Sequence, residues 1–222
     1  MPIRLSPHAR LTRFPAPDGL MLEGRLTPGD RDRAVVLCHP HPLYGGSMLA
    51  PVILMAEQVF REAGYTTLAF NFRGVGASEG SYGEGWAEVG DVLGALAFVG
   101  DQLGGAPRLQ ALAGYSFGSL VGGKVAASDS RVQLYVAIAP PLKLYDFTFL
   151  HRAACRIALV AGSRDQYCDR ERLDTLHDSL RGRSWLRVLD TDHFFGKALD
   201  SLARACRDIV AWAEGEQRSS PP

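Results

Sequence analysis

The chain has 222 residues, 46% of them hydrophobic and 22% charged, enough for one sizeable core and short for two. Lys plus Arg and Asp plus Glu both number 24, so no summed field draws the protein to nucleic acid or an anionic membrane. The opening MPIRLSPHARLTRF has no apolar run of signal-peptide length, and no segment approaches the roughly 18 apolar residues of a spanning helix, so the expectation is a cytoplasmic protein.

Strand-like runs alternate with helical ones along the chain. LMLEGRL (20–26), AVVLCH (34–39), TTLAFNF (66–72), RLQALAG (108–114), VQLYVAIA (132–139), RIALVAG (156–162) and SWLRVLD (184–190) read as strands. From AVVLCH onward most are continuously apolar, as a sheet covered on both faces requires. Between and after them LAPVILMAEQVFREAG, WAEVGDVLGALAFVGDQLG, FGSLVGGKVAA, RERLDTLHDSLRG and KALDSLARACRDIVAWAEG carry helical periodicity, several closed by Gly. This is the pattern of an α/β fold with a mostly parallel sheet and helices on both faces. One domain over residues 1–214 is expected, followed by a polar tail, 215–222. The four cysteines, Cys38, Cys155, Cys168 and Cys206, lack C-x-x-C spacing and read as reduced core thiols.

Two serines sit in G-x-S-x-G: Ser116, between Gly114 and Gly118, and Ser78, between Gly76 and Gly80. In a glycine-rich chain the bare motif is weak. Only Ser116 follows a strand directly and precedes a helix directly, the context of a sharp turn that lifts a hydroxyl above a sheet edge. Gly114 and Gly118 let strand and helix pass, and Gly122 and Gly123 are expected to hold the helix against the sheet. Standing alone, Ser116 would read equally well as a helix N-cap.

A serine hydroxyl needs an imidazole to take its proton and a carboxylate to orient that imidazole. In such a sheet these follow in the order Ser, Asp or Glu, His, on loops after later strands. Asp165, three residues beyond Gly162, and His193, just after the last strand, occupy those places. Asp190 and Asp192 neighbour His193, but residues adjacent on one loop point apart, and Asp169 has the position of a helix N-cap. His8, His151 and His177 lack a matching loop.

For the oxyanion, one donor is expected from the N–H of Phe117, after the nucleophile, and the other from HPHPLYGGSM after AVVLC. Pro40 and Pro42 have no N–H, which leaves Leu43, slightly preferred, or His41. His39 and His41 read as braces of that loop, since a metal would lack a third ligand.

Together CHPHPLYGGSM, FNFRGVGASEG, GYSFGS, GSRD and DTDHFF resemble the small lidless bacterial serine hydrolases of the α/β-hydrolase superfamily, relatives of dienelactone hydrolases and carboxylesterases. The resemblance runs from about residue 10 to 213 with the motifs in order. It implies Ser116 as nucleophile, Asp165 as orienter, His193 as base, Phe117 with the HPHPLYGG loop for the oxyanion, and one antiparallel strand near the start of the sheet. It also makes NFRGVGASEG a loop after the fourth strand, shaped by Arg73, Gly74 and Gly76, with Ser78 structural. Dienelactone hydrolases carry a nucleophilic cysteine where this chain has Ser116, so their substrate does not transfer. The expectation is a hydrolase of small carboxylic esters, with thioesters as a second option and no cofactor. An acyltransferase, an amidase or a non-catalytic binding protein of the same fold are the alternatives. Residues 141–155 are too few for a separate lid, so an open site is expected.

Overall fold

The computed structural model describes residues 3–180 and 182–215. Eight strands form one sheet: β1 (Arg10–Pro15), β2 (Met21–Thr27), β3 (Asp30–Cys38), β4 (Tyr65–Phe70), β5 (Leu109–Tyr115), β6 (Leu134–Ile138), β7 (Arg156–Gly162) and β8 (Ser184–Leu189). Their spatial order is β1-β2-β4-β3-β5-β6-β7-β8. From β4 across to β8 every pairing is parallel, while β2 runs against both of its neighbours, β1 and β4. One strand near the start is therefore reversed, as the resemblance implied.

Helices cover both faces: α1 (Pro51–Glu62) and α5 (Leu199–Gly215) on one, α2 (Ala87–Leu103), α3 (Phe117–Ala126) and α4 (Arg170–Ser179) on the other. Alternation along β3 shows why the strands are apolar throughout. Val36 and Cys38 pack with α2 and α3, whereas Val35 and Leu37 pack with α1 and α5. All four cysteines are buried and free.

β1 is the element the sequence pattern does not announce. Its residues RLTRFP are mostly exposed and only Phe14 is buried, so an edge strand leaves almost no periodic signal. It is held by full pairing with β2 and by Phe14, whose ring stacks on Phe98 at 5.0 Å and meets Phe70 edge-on at 5.9 Å. A second unannounced feature lies beneath β2: Arg25 and Glu57 form a buried ion pair, and Glu57 also accepts from Thr67 at 3.3 Å. α5 runs to Gly215, and residues 216–222, the rest of the expected tail, lie outside the described residues.

The chain reverses its direction of travel across the sheet at β3, with β4 laid on one side and β5 on the other. In an open α/β sheet the crevice at the carboxyl ends of such strands is where ligands bind. The loops after β3 and β5 both open there.

Candidate active site

Ser116 directly follows β5 and sits at the N-cap position of α3, at φ 53° and ψ −118°. A side chain held at positive φ costs on the order of 1–3 kcal/mol, so its neighbours must enforce it. They do so by leaving no room: a Cβ on Gly114 would lie 2.2 Å from Gly118 O, and one on Gly118 would lie 2.2 Å from Cys38 O. The Ser116 N–H still donates to Ile138 O at 2.9 Å, continuing the sheet ladder into the turn. Gly123 is also tight, with Phe149 and the Tyr135 hydroxyl 3.0 Å from its notional Cβ. Gly122 is not: its nearest neighbour, Leu112, would be at an ordinary 3.5 Å, so close packing does not require that glycine.

The loops after β7 and β8 are tied together beyond the strands, where Ser163 N–H donates to Leu189 O and Arg164 N–H to Thr191 O. A Cβ on Gly162 would sit 2.5 Å from Thr191 O, which keeps the loops in contact. This brings Asp165 beside His193. The Asp165 oxygens lie 2.9 and 2.8 Å from His193 Nδ1, and His193 Nε2 lies 2.9 Å from Ser116 Oγ. Asp165 Oδ1 also accepts the N–H groups of Tyr167 and Cys168, at 2.8 and 3.2 Å. Tyr115 donates its hydroxyl to His193 O at 3.0 Å, and burial pushes that hydroxyl's pKa well up, so it stays a donor. With the carboxylate on Nδ1, the hydrogen-bond network assigns the proton to Nδ1 and leaves Nε2 free to accept.

The other acids near this loop are engaged elsewhere. Asp190 pairs with Arg164 at the surface, Asp192 accepts Phe194 N–H and Phe195 N–H, and Asp169 caps α4 through Arg172 N–H. Ser78 has no imidazole partner: its hydroxyl donates to Asn71 O at 2.7 Å and accepts Glu23 N–H at 2.9 Å, joining the loop after β4 to β2. That loop is shaped by Arg73, which binds Asp91 through its backbone and its guanidinium, and by Gly74 and Gly76 at positive φ.

The loop after β3 is braced from below by His39. Its Nε2 accepts Phe72 N–H at 3.0 Å and its Nδ1 lies 2.6 Å from Pro40 O, an arrangement that needs the neutral ring. Burial holds its pKa down at about 4. Next along, Pro42–Tyr44 forms a single 3-10 turn capped by the His41 ring. Leu43, the donor preferred from sequence, has its N–H on His41 Nδ1 at 3.2 Å and its side chain projecting into solvent. His41 lines the cleft instead. Its Nε2 meets the Tyr82 hydroxyl at 3.2 Å, and its ring packs 4.9 Å from that of Phe117. Burial lowers the His41 pKa, so the ring is neutral at pH 7. Neither His41 N–H nor Phe117 N–H has a hydrogen-bond partner among the described residues.

Ser116, His193, His41 and Phe117 share a cleft of about 480 Å³. A larger cavity, about 710 Å³, lies beyond the ridge of Leu144 and Tyr145 and contains none of the four. Between β6 and β7 the chain makes only the short 3-10 turn Thr148–Arg152, with Phe147 and Leu150 packed into the core and Leu144 exposed. No lid covers Ser116 among the described residues.

A profile of the α/β-hydrolase family matches residues 35–220. An uncharacterized protein of Rickettsia prowazekii is 30% identical over 210 residues, 89% of this chain and 87% of its own. Among solved structures, an α/β serine hydrolase homologue from Coxiella burnetii superposes with a TM-score of 0.81 at 29% identity, covering 92% of this chain and 98% of that one. A Xanthomonas campestris α/β serine hydrolase without a lid gives 0.81 at 28% identity over the whole of both chains. A matched profile over most of the chain, a reversed second strand in an otherwise parallel sheet and a serine at the turn after β5 converge on one conclusion: the chain belongs to the α/β-hydrolase family.

Proposed function

We propose that the protein is a serine hydrolase that cleaves neutral carboxylic esters of short acyl groups through an acyl-enzyme on Ser116. The observation that carries this reading is the unbroken chain from Ser116 Oγ through His193 to Asp165, with 2.9 Å at the serine end and 2.8 Å at the carboxylate end. His193 Nε2 takes the hydroxyl proton as Oγ attacks the ester carbonyl carbon, and Asp165 steadies the imidazolium that forms. The carbonyl oxygen, now carrying the charge, accepts the N–H groups of Phe117 and His41, which have no competing partner among the described residues. Collapse breaks the bond to the leaving oxygen, which receives the proton from Nε2. Water then repeats the cycle on the acyl-enzyme, with His193 again as base, and releases the acid.

The absence of a lid among the described residues favours hydrolysis over acyl transfer, because nothing keeps water from the acylated serine. The same chemistry extends to thioesters. The test is a fluorophosphonate followed by peptide mass spectrometry, together with ester turnover by Ser116→Ala. One adduct, on the peptide carrying Ser116, and loss of turnover in the variant are expected. An adduct on Ser78 with Ser116 unmodified would overturn the assignment.

A further inference from the structure

The walls of the cleft carry no carboxylate, ammonium or guanidinium among the described residues, and they are rich in rings: Tyr44, Phe117, Tyr145, Tyr167 and Phe194. Phe194 differs from the others in how it is held. It lies between two buried residues, His193 and Phe195, yet is 61% exposed. The turn enforces this outward position. Asp192 Oδ1 accepts both Phe194 N–H and Phe195 N–H, at 3.0 and 3.1 Å, and Phe195 adopts φ 56° so that its side chain enters the core beneath Tyr115. With His193 also fixed by Tyr115, Phe194 is left to face the cleft.

The Phe194 ring stands at 90° to the His193 ring with centroids 5.5 Å apart, and Tyr167 meets the same imidazole at 73° and 4.8 Å. His193 is the group that hands a proton to the departing oxygen, so these two rings flank the leaving alcohol. We propose that Phe194 determines specificity by stacking on an aromatic ring in the alcohol portion of a neutral ester. This rests on the reading of Ser116 and His193 given above. An apolar wall alone would favour whichever alcohol has more apolar surface, whereas a ring face favours another ring through its quadrupole.

The two effects separate in one pair of substrates. 2-Phenylethyl acetate and 2-cyclohexylethyl acetate have the same acyl group and leaving alcohols of similar acidity, but the saturated ring is the more apolar. The whole protein is expected to show a kcat/KM roughly three- to ten-fold higher for the phenyl ester, the range that aromatic pairing supports. In Phe194→Leu that ratio falls to about one or below, and in Phe194→Tyr it is retained, with thermal unfolding showing that each variant is folded. Fluorophosphonate labelling of the same preparations keeps the two readings apart. Labelled protein that treats the esters equally, prefers the cyclohexyl ester, or keeps its preference in Phe194→Leu would overturn the role of Phe194 alone, whereas labelled protein that turns over neither would overturn the short-acyl ester reading together with it. Failure of Ser116 to label would overturn the hydrolase reading, and this inference with it.

Discussion

Acid should loosen this protein through one histidine that takes no part in the proposed chemistry. His39 is fully buried, and its neutral ring accepts Phe72 N–H while facing Pro40 O. Burial brings its pKa from 6.5 down to about 4. In the unfolded chain the ring takes a proton near the ordinary value, so between those limits the unfolded state binds more protons and stability falls as pH falls. Going from pH 7 to pH 4.5 the loss is about 2 kcal/mol from this group. With a urea dependence of about 2 kcal/mol per molar for a chain of this size, the unfolding midpoint drops by about 1 M. His39→Gln keeps an acceptor for Phe72 N–H and removes the titration. The measurement is urea unfolding at pH 7, 6, 5 and 4.5 for both proteins. The variant should start less stable and lose about 1 M less of its midpoint on acidification. Parallel acid limbs in the two proteins would refute the claim that His39 is held neutral.

The remaining expectations concern the turn, the carboxylate and the mouth of the cleft. Gly118→Ala forces a methyl into Cys38 O and should cost about 3 kcal/mol or more, whereas Gly122→Ala meets only ordinary contact and should gain up to about 1 kcal/mol from helix propensity; thermal unfolding ranks them, and equal costs would refute the steric reading. Asp165→Asn should lower kcat by roughly 10³ to 10⁴ with folding intact, while Asp190→Asn, whose carboxylate lies at the surface, changes little; the reverse ranking in steady-state kinetics would move the orienter. Across nitrophenyl esters from acetate to palmitate, kcat/KM should stop rising by about eight carbons, since an open cleft offers little wall to gain the ~0.8 kcal/mol per methylene that a longer chain brings. A jump in rate when an oil interface appears would mean that some segment acts as a lid.

The order of the fold was legible because strand-length runs alternate with helical periods: seven of the eight strands were read that way, and most of those from β3 onward are the continuous apolar runs of a buried parallel sheet. The positions of Ser116, Asp165 and His193 were legible for a related reason. Each lies in the first few residues after a recognisable strand, and parallel strands deliver their following loops to one edge of the sheet, so sequence order alone gathers them there. The parts that escaped are those whose cause is local. β1 is an exposed edge strand with a single buried residue, so its identity rests on pairing with β2 and not on its own pattern. Gly122 and Gly123 are neighbours of the same residue type, and only the packing of Tyr135 and Phe149 against the second separates them.

The choice between Leu43 and His41 shows what reading by elimination leaves open. The sequence rules out Pro40 and Pro42 because proline has no N–H, but it does not say where the surviving N–H groups point. That is decided by the His41 side chain, which folds back to accept Leu43 N–H and so removes the rival from the cleft. The same ring contacts Phe117 and Tyr82, so the two N–H groups proposed to face the oxyanion are joined through one packed unit, the imidazole against the phenyl ring. Beneath it, His39 fixes the start of the loop to Phe72, and a Cβ on Gly46 would strike Pro40 O at 2.1 Å, which closes the loop's far end onto its beginning. A histidine pair two residues apart, read from sequence as a brace with His41 also a candidate donor, is split between two contacts. His39 anchors the loop to the sheet, and the His41 ring holds the Leu43 N–H.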